Sequence, residues 1–80
     1  MLHIIDFDLG RNFPEQHRRR GEILNKLHEL GLKVAPVHNA VPEFYMNSKY
    51  KVWTQFIWHK DIIRIKCANE ADALMIQLSL

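Results

Sequence analysis

Between Asn12 and Gly31 the sequence spells out one helix with both ends marked. Asn12 and Glu15 stand at capping-box spacing, and Pro14 falls in the first turn, where its missing N–H costs nothing. Ile23, Leu24, Leu27 and Leu30 recur at helical spacing and form an apolar stripe. Gly31 suits the left-handed residue that closes a helix, with Leu32 folding back on the last turn. The spacing predicts a helix over 14–30. Its stripe has to be buried against something, and the segments around it are short and β-prone.

Leu2 to Phe7 is an apolar run ending before Gly10 and reads as a first strand. Lys33 to His38 reads as a second. Residues 39–49, with Pro42, Asn47 and Ser48, form the longest irregular connection. Tyr50 to Trp58 is rich in Val, Trp, Thr, Phe and Ile; His59, Lys60 and Asp61 then turn the chain into Ile62 to Cys67, which predicts a β-hairpin. Asn69 caps a short last helix whose first turn carries Glu70 and Asp72, with Ala71, Leu74, Met75 and Leu78 as its apolar face. The order is β-α-β-β-β-α. It predicts an α+β fold: a small antiparallel or mixed sheet of three to four strands, with one long and one short helix packed on one face.

Eighty residues without a repeat or a Gly/Ser/Pro-rich linker make one domain, 1–80. A chain of this size buries only about 60–65% of its unfolded surface, which leaves little room for an enclosed catalytic site with its supporting shell. Catalysis is therefore not expected. The hydrophobic fraction of 48% and charged fraction of 25% argue against disorder. A single cysteine, Cys67, cannot form an internal disulfide and fits a reducing compartment, so a cytoplasmic location is expected. No apolar run reaches membrane-spanning length, and Asp6 and Asp8 stand where a signal peptide would be basic and then apolar.

Asp6 and Asp8 are the one constellation with a catalytic flavour. Two carboxylates at the C-terminal end of a strand can hold Mg²⁺ and serve phosphoryl transfer. Ile4-Ile5-Asp6-Phe7-Asp8 resembles the first motif of haloacid-dehalogenase-like phosphatases, and Leu27 to Val37 resembles the helix and strand leading to their second. The departures are large. Leu9-Gly10 stands where that family has Gly-Thr, His38-Asn39 where it has Ser or Thr, and the downstream lysine with its acidic pair is missing. The resemblance implies a metal-dependent enzyme only as a distant third reading. Two solvated acids where a strand enters a loop account for the same residues.

Arg18-Arg19-Arg20 looks like a phosphate-binding run, but successive helical residues point about 100° apart, so the three do not make one patch. Glu15 four before Arg19, Arg18 four before Glu22 and Glu22 four before Lys26 give a self-neutralised face.

The hairpin is the more informative surface. Residues 49–66 carry Lys49, Lys51, Lys60, Arg64 and Lys66 against one acid, Asp61, within a chain whose net charge is only +2. Strand alternation assigns Val52, Phe56 and Trp58, with Ile63, Ile65 and Cys67, to the core. It turns Lys51, Trp53, Gln55, Ile57, Arg64 and Lys66 outward. An exposed Trp53 beside Ile57, framed by Lys51, Arg64 and Lys66, suits a protein anchor, since Trp and Arg dominate interface hot spots. It also suits stacking on an unpaired base. The bland alternative is that the 39–49 connection, with Tyr45 and Met46, covers Trp53.

Residues 14–80 are similar in element order to the double-stranded-RNA-binding domain, a family whose last helix begins with a lysine cluster. Here that position reads Asn69-Glu70-Ala71-Asp72, which would repel phosphate. The five histidines show no His-x-x-x-His pair, and one cysteine cannot build a zinc cage, so neither metal nor cofactor is expected.

The stretch Ile63 to Leu78, a final strand followed by an acidic cap and a short apolar helix, is similar to the ending of many small uncharacterised bacteriophage proteins. That resemblance implies a small accessory protein in an infected bacterium. The combined reading is a protein-interaction module that acts on a host protein or on a second copy of itself, through Lys51, Trp53, Ile57, Arg64 and Lys66. Nucleic-acid binding by the same face is the alternative.

Overall fold

The computed structural model describes residues 2–36 and 50–80. Strand β1 (His3–Asp8) leads into helix α1 (Phe13–Glu29), followed by the short strand β2 (Val34–Pro36). Strand β3 (Val52–Ile57), a single 3-10 turn (Trp58–Lys60), strand β4 (Ile62–Cys67) and helix α2 (Glu70–Ser79) complete the chain. The expected α+β order holds. The second strand's last two positions, Val37 and His38, and the whole 39–49 connection lie outside the described residues.

The sheet runs in the order β1-β4-β3-β2. Three of its strands are antiparallel neighbours, and β2 adds a short parallel rung against β3. β4 sits in the middle, which is why Ile63, Ile65 and Cys67 are buried on the core side. Pairing His3↔Cys67, Ile5↔Ile65 and Phe7↔Ile63 on one flank, and Val52↔Cys67 and Phe56↔Ile63 on the other, puts these residues on one face. Ile23 and Leu27 of α1 join that face, as do Ala73 and Ile76 of α2, so one hydrophobic cluster lies between sheet and helices. Both helices therefore cover the same side. The face expected for α2 is displaced: Ala71, Leu74 and Leu78 are exposed and Met75 is half-buried, because the helix docks through the line of Ala73 and Ile76. Leu9, just past β1, is buried in the same cluster.

The helix ends follow local chemistry. The Asn12 side chain accepts from the Glu15 N–H at 3.4 Å, and Gly31 takes a φ of +79° after the last turn. At α2 the Asn69 side chain makes no capping bond to the backbone; its amide donates to Asp72 Oδ2 at 3.3 Å instead.

The hairpin differs from the alternation reading in one consequential place. β3 ends at Ile57, and Trp58 begins a four-residue connection that closes on Asp61 in the left-handed region, φ 53°. Strand parity no longer applies to Trp58. Expected in the core, it is 63% exposed.

Candidate functional site

The face turned away from the helices carries Trp53, Gln55 and Ile57 from β3 and Ile62, Arg64 and Lys66 from β4, with Ile4, Asp6 and Asp8 from β1. Alternation sorted these side chains to the right face. Exposure did not follow. Trp53 is only 1% exposed and Lys66 8%, while Lys51 and Ile57 are half-buried. The cover expected from Tyr45 and Met46 lies outside the described residues. Arg64 is committed within the sheet: its Nε and Nη2 donate to the two carboxylate oxygens of Asp6 at 2.9 and 3.1 Å. That fork holds the Asp6 carboxyl below its ordinary value and raises the guanidinium further. The open aromatic among free cations is thus replaced by a buried tryptophan and a neutralised arginine.

Asp8 is engaged too, its Oδ1 accepting from the Gly10 N–H at 2.8 Å in a tight turn. Among the described residues, no group of three or more His, Cys, Asp or Glu side chains is gathered closely enough to hold a metal ion.

The exposed aromatic surface lies elsewhere. Phe13, Gln16, His17 and Arg20 recur at i, i+3, i+4 and i+7 on the N-terminal half of α1. They face Phe56 at the end of β3 and Trp58 in the hairpin turn, and the six residues enclose a groove of about 180 Å³. The Phe56 and Trp58 rings stand 4.0 Å apart between centroids, inclined at 49°. The Arg20 guanidinium lies 5.9 Å from the Phe56 ring centre, within cation–π range. Phe13, at 66% exposure, forms the opposite lip.

Gln16 ties the two walls together. It is a buried polar residue in the outer half of α1, and its Nε2 donates to Asp61 Oδ1 at 2.8 Å and to the Gly10 carbonyl. One side chain thus fixes the β1–α1 loop and the hairpin turn to the helix. The lips of the groove are held by a hydrogen-bonded floor rather than by aromatic contact alone.

The stripe that makes this wall was visible in the sequence. Phe13, Gln16, His17 and Arg20 continue the line of Ile23, Leu24 and Leu27, with polar residues and an exposed aromatic replacing the leucines. What the sequence did not show is which end of the hairpin the stripe would meet.

No family model, curated protein or solved structure matches the chain at a significant level. Among the described residues, no helix is long and apolar enough to cross a membrane.

Proposed function

We propose that the chain is a small protein-interaction module that seats one aromatic or branched aliphatic side chain of a partner protein between Phe13 and Trp58. The observation that carries this reading is two large aromatics, each mostly exposed, on opposite lips of a preformed groove. Exposed apolar surface gathered in one place marks interaction sites, and Trp, Phe and Arg are enriched at interface cores. A groove of about 180 Å³ is the size for a single ring, since an apolar cavity of about 150 Å³ holds benzene.

Charge narrows the partner. Arg20 and His17 line the groove, and His59 and Lys60 follow Trp58 in the turn. The anchor side chain is therefore flanked by carboxylates. The likeness of residues 63–78 to phage protein endings supports a host protein in the bacterial cytoplasm as the partner.

Nucleic acid is the second reading, and the arginines disfavour it. Arg18 pairs with Glu22 and Glu15, Arg19 donates to the Asp8 carbonyl, and Arg64 pairs with Asp6. Affinity for a phosphate backbone grows with the number of phosphates neutralised, and these three cations are already engaged.

The test uses short peptides with one central Trp, Phe, Leu or Ala, flanked by Asp/Glu or by Lys, titrated against the chain while its tryptophan fluorescence is read. Acidic aromatic peptides should bind, the alanine and lysine-flanked versions should not, and Trp58→Ala should weaken binding by about tenfold or more. Equal binding of acidic and basic peptides, or tighter binding of an oligothymidine probe, would overturn it.

A further inference from the structure

We infer that β1 is a self-pairing edge, through which two copies of the chain join their sheets antiparallel about a two-fold axis at Ile5.

The two borders of the sheet are built differently. β2 carries Pro36, and a proline discourages strand addition. β1 is six residues long, contains no Pro, Gly or Lys, and pairs with β4 without a bulge from His3 to Asp8. Among the described residues, no strand lies on its other side.

The phase of its hydrogen bonds can be fixed. Leu9 donates its N–H to the Asp61 carbonyl at 2.9 Å, continuing the register Phe7↔Ile63, Ile5↔Ile65 and His3↔Cys67. In an antiparallel ladder alternate residues point their N–H and C=O groups to the same neighbour. The odd residues thus serve β4, and Ile4, Asp6 and Asp8 turn theirs to the open side. Arg19 shows this directly, since its Nε reaches round to the Asp8 carbonyl at 2.8 Å. That contact closes the edge at Asp8 and leaves the groups of Ile4 and Asp6 as the template.

The side chains choose a second copy and one register. Pairing Ile5 with Ile5 of the copy puts Ile4 opposite Asp6, so that each such pair exchanges both of its N–H···O bonds. His3 then faces Phe7 on the helix side, which continues the apolar layer. Shifting one way pairs Ile4 with Asp8, whose carbonyl already accepts from Arg19. Shifting the other way shortens the shared strand to residues 3–5. Ile4 is large and 54% exposed in the single chain.

Light scattering behind size exclusion at high micromolar concentration should give twice the chain's mass for the wild type. Ile4→Lys should give the single mass with an unchanged circular dichroism spectrum, because a lysine on an edge opposes strand addition. Trp58→Ala should stay dimeric, which separates this edge from the groove. A second measurement does not depend on the Ile4→Lys chain folding: Ile4→Cys chains mixed with Asp6→Cys chains should oxidise mainly to the mixed disulfide, with buried Cys67 out of reach. A monomeric wild type, a dimeric Ile4→Lys chain, or a predominance of disulfides between like variants would each overturn the inference.

Discussion

Gln16 and Asp61, forty-five positions apart in the chain, are joined by a 2.8 Å hydrogen bond that locks the start of α1 to the turn of the β3–β4 hairpin. Asp61 adopts a left-handed backbone, φ 53°, which Asp tolerates better than most residues. The bond therefore secures a strained turn and the floor of the aromatic groove together.

Replacing Gln16 by leucine removes the donor while leaving the Asp61 carboxylate and the Gly10 carbonyl in place. The expected loss is about 1–2 kcal/mol, toward the lower end for a buried group deprived of its partner. Asp61→Asn keeps both an acceptor and the turn preference, and should cost less than half as much. Urea denaturation of the two variants checks the order.

The two tryptophans should behave as opposites. Trp53→Ala empties a fully buried site and should cost about 3–5 kcal/mol, most of what an eighty-residue chain has to lose. Trp58→Ala forfeits chiefly its contact with Phe56, about 1 kcal/mol. In the wild type, acrylamide should quench a red-shifted emission component that disappears in Trp58→Phe.

The Asp6–Arg64 fork adds stability in a defined pH window. The Asp6 pKa is lowered in the folded chain, by the Arg64 hydrogen bonds first and their charge attraction besides, against an opposing desolvation effect. Its contribution is thus complete above the unfolded value, near 3.8, and is lost as pH falls through the lower folded value. Both side chains are partly solvated, so the pair is worth about 1 kcal/mol at most. Asp6→Asn should lower thermal stability at pH 7, and its deficit relative to wild type should shrink progressively as pH falls below 3.8, as read by a melting series.

Cys67 should be inert in the folded chain. Burial, helped by the charge of Asp72, pushes its thiol up to about 11. Only the thiolate is nucleophilic, so a disulfide reagent near neutral pH should label it at the rate of transient opening. Labelling as fast as in denaturant would contradict its place beneath the helices.

Much of the fold was legible because it rests on local rules. Asn12, Pro14 and Gly31 bounded α1, and the period-two pattern of Ile63, Ile65 and Cys67 picked the core face of β4. The candidate site was legible only in fragments. Parity placed Trp53 and Lys66 on the face opposite the helices, but parity says nothing about what covers a face, and both are buried. Trp58 failed for a different reason: the strand stops at Ile57, one residue before it, and alternation ends with the strand.

The sequence by itself determined where the helices begin and end, the order of the elements and the face each strand residue takes, since all of these depend on neighbours a few positions away. The tertiary structure alone decided which tryptophan is open, that Arg64 is spent on Asp6, and that Phe13 meets Trp58 across Gln16. Those outcomes depend on residues dozens of positions apart arriving at the same place, and no local periodicity encodes that meeting.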